Sequence, residues 1–232
     1  MAKEICSICG RSTGVIGRIR LAGGICICED HTLQDQAISQ FDYGALSLED
    51  FYRHQRQLVL GTRLWERIFV PLADTILVDE KLQYFGANDT MVVSPSTGLV
   101  AFTRHWGKSI FSKTSVVASV HRLADLYSYS LGRREVRNHE GTFIIHSFTL
   151  IFHTADGIFR YSQDMKSYDE CRRLAPALNY CLGLGDDGPK LPAPAPSMIQ
   201  KLFGTRKLPA PPIWGDRQTL AARADKTLSA II

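Results

Sequence analysis

Hydrophobic and polar positions along this chain follow two periods, and the change between them falls near residue 73. Between residues 41 and 72 the apolar residues recur at helical spacing, and residues 47–50 form a helix-capping signal. We interpret this stretch as a helical linker that ends at Pro71, because proline has no backbone N–H to give to a helix. A shorter helix is predicted for residues 32–41.

From residue 75 the apolar positions alternate, as they do in strands that bury one face. The clearest hairpin is predicted at the Asp156-Gly157 pair, which separates two alternating runs. Ser167 and Glu170 form a predicted capping box, and the amphipathic helix that it begins ends at Gly183. The predicted strands are residues 75–78, 82–85, 91–93, 99–102, 116–120, 126–131, 142–153 and 157–161.

The order of these elements, meandering strands closed by one C-terminal helix, resembles that of a pleckstrin-homology-like (PH-like) domain. After residue 184 the composition becomes rich in proline, which is typical of an extended linker. A short apolar turn of helix (residues 197–203) and an amphipathic helix capped by Asp216 are predicted within this tail. The apolar stripe of the last helix must be buried on its own domain, on a second copy or on a partner. We therefore predict a protein partner or self-association through residues 185–232.

Two cysteine-containing stretches near the N-terminus carry the clearest chemistry. Cys6 and Cys9 have the C-x₂-C spacing that places two thiolates on one ion, and the second stretch offers Cys26, Cys28 and His31. Cys28 and His31 repeat the spacing, so we predict Cys6, Cys9, Cys28 and His31 as ligands. Cys26 is a possible substitute for either late ligand. Such paired spacing is typical of zinc rather than of reduced structural cysteines or a disulfide. Four protein ligands leave no position for water, which predicts a structural zinc site.

The layout of this N-terminal stretch resembles the zinc-ribbon-like module of bacterial proteins grouped as DUF4428. In those proteins the module often precedes an uncharacterised β-rich domain, and the family has no settled activity. His31 stands where the family has cysteine, and Cys26 is additional. The residues that carry the resemblance, within about the first 35, are Cys6, Cys9, Gly10, Gly24, Ile27, Cys28 and His31.

The predicted fold class is therefore α+β, with four segments. These are a zinc-ribbon-like module (residues 1–40), a helical linker (41–72), an antiparallel PH-like domain with a C-terminal helix (73–184) and a Pro-rich tail with amphipathic helices (185–232). Six cysteines without a signal peptide or a spanning apolar run predict a soluble, cytoplasmic protein. The net charge of +4 is too small to predict nucleic-acid binding from electrostatics.

Other motifs in the chain do not indicate a catalytic site. A G-x-G-x-x-G match at residues 183–188 follows a helix rather than a strand, so we do not interpret it as a phosphate loop. His146 and His153 lie an odd number of positions apart, which places them on opposite faces of a strand. The chain therefore lacks a catalytic constellation, and we predict that it is not an enzyme.

The favoured function is a non-enzymatic adaptor with a structural zinc site, which binds a protein partner through its tail and β-rich domain. Nucleic-acid binding by the zinc module, through Arg18 and Arg20, is the alternative. A further alternative is peripheral membrane binding by the PH-like domain, through the basic residues of 133–137.

Overall fold

Two antiparallel sheets, one of four strands and one of three, form the framework on which the helices pack. The computed structural model describes residues 4–14, 18–28, 30–31, 43–74, 82–86, 90–106, 115–139, 141–191 and 213–231. Within these residues the chain has both helices and antiparallel strands, so the predicted α+β class is confirmed. The helix predicted at 32–41, the strand at 75–78 and the helical turn at 197–203 lie outside the described residues.

The N-terminal strands are short: β1 (Glu4–Ile5) pairs with β2 (Ser12–Thr13), and β3 (Ile19–Arg20) pairs with β4 (Cys26–Ile27). Helix α1 (Leu48–Leu64) continues through a π-helical turn (Trp65–Phe69) into α2 (Val70–Ala73). The four-stranded sheet has the order β5 (Gln83–Phe85), β6 (Met91–Ser94), β7 (Leu99–Trp106) and β8 (Ser115–Arg122). The second sheet contains β9 (Leu126–Asn138), β10 (Gly141–Thr154) and β11 (Gly157–Asp164), with β10 in the middle. Helix α3 (Tyr168–Leu182) follows the strands, and helix α4 (Arg217–Ser229) ends the described chain.

The start of α1 confirms the capping signal, whereas its end corrects the role predicted for Pro71. Ser47 Oγ accepts a hydrogen bond from the Asp50 backbone N–H, and the Asp50 carboxylate accepts one from the Ser47 N–H. Helical residues then continue past Pro71 to Ala73. The N–H of Val70 bonds to the carbonyl of Trp65, five residues back, so the helix is widened just before the proline. This wider turn gives the proline ring room that a regular α-helix would not provide.

The predicted strands that lie within the described residues all form, and the β9–β10 pair has one shift of register, between Ile151 and Phe152. Thr154 pairs with Gly157 across the two-residue loop that contains Asp156, so the predicted hairpin is confirmed. The core sides of both sheets pack with α3 around a centre that includes Phe102, Phe148 and Leu178, each fully buried.

Helix α3 begins at Ser167 as predicted, but Glu170 does not complete a capping box. Ser167 Oγ accepts from the Glu170 N–H, whereas the Glu170 carboxylate accepts from the backbone N–H groups of Gly86 (3.1 Å) and Lys166 (2.9 Å). A buried carboxylate is thereby satisfied by two backbone donors, one of them from the segment after β5. The helix ends at Gly183, whose φ of 68° is the left-handed conformation predicted for a C-cap.

Helix α4 is covered by its own domain, which is one of the three burial modes that its apolar stripe allowed. Asp216 caps the helix by accepting from the Thr219 N–H, as predicted. Leu220 and Ala224 are fully buried. Ala224 belongs to an apolar cluster that also contains residues of β6, β7 and β8, and Leu228 packs against this cluster. Trp214, just before the helix, lies in the main core.

Helix α1 lies along the free edge of β8. Gly61 permits this approach, because a Cβ at that position would lie 2.8 Å from Val120 N and 2.9 Å from Ser119 Cα. Thr62 Oγ1 accepts from the Ala118 N–H (3.1 Å), and the Gln57 side-chain amide donates to the Val120 carbonyl (2.6 Å). The helix therefore satisfies backbone groups that an edge strand would otherwise expose.

Candidate metal centre

The first half of the site is a tight turn between β1 and β2. The Gly10 N–H bonds to the Cys6 carbonyl (2.9 Å), and Gly10 has a φ of 71°, which a residue with a Cβ rarely adopts. The turn places Cys6 and Cys9 at the start and end of one loop, with Cys6 buried and Cys9 exposed. This is the geometry that a C-x₂-C knuckle requires.

The second half comes from the residues that follow β4. Asp30 and His31 have helical backbone, and the His31 N–H bonds to the Cys28 carbonyl (3.1 Å). His31 Nδ1 lies 3.1 Å from Cys28 Sγ and 3.8 Å from Cys6 Sγ. Cys28 and His31 therefore lie next to each other at the start of a helical turn, as their spacing predicted.

Four ligand atoms converge where the two halves meet. The ligand atoms of Cys6, Cys9, Cys28 and His31 all lie within 4.8 Å of one another, and no disulfide joins the three thiols. Cys9 Sγ and Cys28 Sγ are 3.8 Å apart. Tetrahedral zinc with bonds of about 2.3 Å to sulfur would separate two sulfurs by about 3.8 Å. The cluster is therefore compatible with a metal ion in a Cys₃His environment.

The surroundings of Cys6 favour its thiolate form, which is the form that binds metals. Burial raises the pKa of the Cys6 thiol, but the backbone N–H groups that point at its sulfur together lower the pKa by a larger amount. The pKa therefore falls to about 6 from an ordinary 9.0. The clearest of these donors is the Cys28 N–H, 3.3 Å from the sulfur. Donors that stabilise a thiolate also orient it toward an ion.

Cys26 is close in sequence but does not reach the cluster. Its buried sulfur lies 3.6 Å from Thr13 Oγ1, on the β2 side of the module. Strand β4 ends at Ile27, so the strand alternation that would put Cys26 and Cys28 on one face does not continue to Cys28. Of the two alternatives that the spacing left open, the structure brings Cys28 and not Cys26 to the other three ligands.

The module packs on α1 through a small apolar cluster of its own. Leu21 and Ile27, which flank the β3–β4 turn, are buried together with Phe51 of α1. The Ala22 N–H also bonds to the carbonyl of Leu46, just before the helix. The Cys₃His cluster and the N-terminal end of α1 are therefore parts of one packed unit.

The arginines proposed for phosphate binding are occupied by a carboxylate. Arg18 and Arg20 both form ion pairs with Glu4, and the Arg18 pair is 3.4 Å long. The Arg18 side chain is also mostly buried. A phosphate would have to displace Glu4 from both partners, which weakens the case for a nucleic-acid surface on this module.

The other positions that the sequence singled out are distributed over the second sheet. His146 lies against Tyr168 and His153 stacks on Tyr127, so the two histidines have different surroundings. Arg134 forms an ion pair with Asp164, which reduces the charge that the 133–137 cluster presents. These residues do not meet at one site.

A buried polar triangle inside the core was not anticipated from the sequence. Ser119 Oγ and Tyr161 Oη lie 2.9 and 2.8 Å from His121 Nε2, and 2.6 Å from each other. All three side chains are buried, and burial lowers the pKa of His121 to about 3. Strand alternation places Ser119 and His121 on one face, but only the packing of the two sheets brings Tyr161 to them. The triangle is closed to solvent, so we assign it to the core.

Comparisons with protein-family models, with curated proteins and with solved structures gave no match. The similarity to the DUF4428 module thus stays a prediction. No helix in the described part of the chain is both long and apolar enough to cross a membrane.

Proposed function

We propose that the protein is a non-enzymatic adaptor of the cytoplasm, whose N-terminal module is held by a structural zinc ion. The observation that carries this proposal is the convergence of four protein ligands, Cys6, Cys9, Cys28 and His31, within 4.8 Å. Four protein ligands fill the tetrahedral shell of zinc and leave no position for substrate or water. Paired cysteines at metal-ligand spacing also favour a reducing compartment, in which thiols are available to bind an ion.

The zinc ion would stabilise the packing of the N-terminal module against α1. The strands of the module are two residues long and cannot form a core alone, so metal binding supplies folding free energy there. Leu21 and Ile27 of the module pack against Phe51 of α1, so a folded module holds this end of the helix in place. Helix α1 in turn covers the edge of β8. On this proposal, zinc organises a scaffold rather than a reaction.

The scaffold is proposed to be PH-like. A four-stranded and a three-stranded antiparallel meander, followed directly by α3, support this proposal. We propose that a protein partner binds the β-rich domain together with residues 185–232. Since α4 is already covered by its own domain, the Pro-rich part of that tail is the better candidate for the contact.

Elemental analysis of the purified full chain tests the metal part of the proposal. We expect one equivalent of zinc in the wild type and in Cys26→Ser, and its loss in Cys6→Ser and Cys28→Ser. Cys26→Ser is the matched control, because its sulfur is buried in the same module but lies outside the cluster. Metal-free wild-type protein that remains fully folded would contradict the proposal.

The adaptor part is tested by quantitative affinity purification of the full chain from its own cells. We expect a stoichiometric protein partner, and we expect its recovery to fall when the prolines of residues 207–212 are replaced by alanine. Recovery of nucleic acid instead, with a salt-dependent affinity for mixed DNA or RNA, would contradict it.

A further inference from the structure

The outer edges of strands β8, β9 and β11 carry features that discourage pairing with other chains, whereas one part of β10 carries none. The edge of β8 is covered by α1, whose side chains bond to its backbone. The outer strand β9 carries Arg133, Arg134 and Arg137, and the outer strand β11 carries Arg160 and Asp164. Covering helices and charged side chains are the usual means of preventing edge-to-edge association.

The exception is the first part of β10. This strand pairs with β9 from Gly141 onwards but with β11 only from Ser147 onwards, so residues 141–146 have a strand neighbour on one side only. On the other side, the His146 carbonyl accepts from the Met165 N–H (2.9 Å). Nothing else among the described residues pairs with this side of 141–145.

Strand geometry identifies the backbone groups that this open edge presents. The N–H and C=O of a strand residue point to the same side, and that side alternates along the strand. The backbone carbonyl of His146 points away from β9, toward Met165. The backbone N–H and C=O groups of Ile144 and Thr142, two and four residues earlier, therefore point to that side as well. The edge therefore offers two donors and two acceptors, and no hydrogen bond to a described residue uses them.

The strand at this edge carries no side chain of the kinds that discourage a second strand. Residues 141–155 contain no aspartate, glutamate, lysine, arginine or proline. Phe143 and Ile144 are 44% and 45% exposed although both are large and apolar. An exposed, uncharged and apolar edge of high β-propensity is a surface for strand addition.

We propose that this edge pairs with the same edge of a second copy of the chain and forms a symmetric dimer. The two strands would run antiparallel about a two-fold axis at Phe143, with Thr142 opposite Ile144 of the second copy. In that register all four open groups of each copy are satisfied, by four inter-chain hydrogen bonds in total. The inference goes beyond the adaptor proposal and depends on neither the zinc ion nor the tail.

The charge pattern favours a second copy over other occupants. Because the edge carries no charge, an identical strand meets no like charge directly opposite, and a charged peptide gains no ion pair there. The open N–H and C=O groups of Thr142 and Ile144 can also each bond to the same groups of an identical antiparallel strand. The paired segment is short, so the dimer is expected to be weak and concentration-dependent, with a Kd above about 1 µM.

Sedimentation velocity on the zinc-loaded full chain, from about 1 µM to about 1 mM, is the first test. We expect a monomer–dimer equilibrium in the wild type. Thr142→Pro removes a donor that faces the open side and leaves the bonds to β9 in place, so it should shift the equilibrium to monomer. The double variant Thr142→Lys/Ile144→Lys brings lysines opposite each other across the axis and should do the same. Ile158→Lys is the matched control, since Ile158 is 64% exposed on β11, away from this edge, and should dimerise normally.

Cysteine trapping tests the register and remains informative if the proline variant unfolds. Phe143 would face its own counterpart in a non-hydrogen-bonded pair, at a Cα separation of about 4.5 Å, which suits a disulfide. We expect Phe143→Cys to form a cross-linked dimer on mild oxidation and Ile145→Cys, on the same face, to form little. Equal cross-linking of both variants would overturn the proposal, as would a wild type that is monomeric throughout. So would a monomer that binds phosphatidylserine vesicles through Ile144, which would assign the edge to a membrane instead.

Discussion

Replacing Gly61 by alanine tests whether α1 is seated on β8. The three atoms nearest to the added methyl are all backbone atoms: the Ala118 carbonyl oxygen is the closest, and Val120 N and Ser119 Cα follow at 2.8 and 2.9 Å. None of these atoms can rotate away, so the helix must move outward by about 1 Å to reach ordinary contact.

The expected net effect follows from three contributions. Overpacking against a rigid neighbour costs about 1–3 kcal/mol. The hydrogen bonds of Thr62 and Gln57 to the β8 backbone are about 1 kcal/mol each and are weakened by the shift. Alanine regains about 1 kcal/mol over glycine in a helix interior. With about half of each hydrogen bond lost, we expect Gly61→Ala to lower the free energy of unfolding by about 1–3 kcal/mol.

Urea denaturation of the full chain, followed by circular dichroism, measures this change. Gly14→Ala is the matched control, because a Cβ at Gly14 meets nothing within 4 Å and should alter stability by less than about 0.5 kcal/mol. If Gly61→Ala were as stable as the wild type or more stable, helix propensity would dominate. The close packing of α1 on β8 would then be wrong.

Three further predictions concern acid, the buried carboxylate and the metal. Burial lowers the pKa of His54 and of His121 to about 3, so the unfolded chain binds protons that the folded chain excludes between pH 6.5 and 3. The free energy of unfolding should therefore fall as the pH drops through this window, by about 1.4 kcal/mol per pH unit for each of the two histidines. His121→Asn keeps only His54, so urea titrations of this variant should show about half the total pH slope of the wild type. Glu170→Ala leaves two backbone N–H groups without their acceptor and should cost about 2–4 kcal/mol in urea denaturation, whereas the exposed neighbour Asp169→Ala should cost little. Removal of zinc by a chelator should raise hydrogen exchange in residues 4–28 and at the start of α1, while β9–β11 keep their protection; uniform exchange changes over the whole chain would contradict the local role of the site.

Local chemistry made much of this protein predictable from its sequence. The cap at Ser47, the C-cap at Gly183 and the Asp156-Gly157 hairpin depend on residues at most a few positions apart, so their signals are contained in short stretches. The same holds for the Cys6–Cys9 knuckle and for the Cys28–His31 pair, whose spacings alone indicate that each pair can hold one ion.

Tertiary packing decided what those short stretches left open. The end of β4 selected Cys28 over Cys26, and Glu170 bonded to Gly86 rather than to its own helix cap. Helix α4 was buried on its own domain, although an amphipathic stripe is equally compatible with a partner. Each outcome depends on which distant segment comes within hydrogen-bonding or van der Waals distance. A periodic pattern states that a face must be buried, whereas only the folded chain determines which surface buries it.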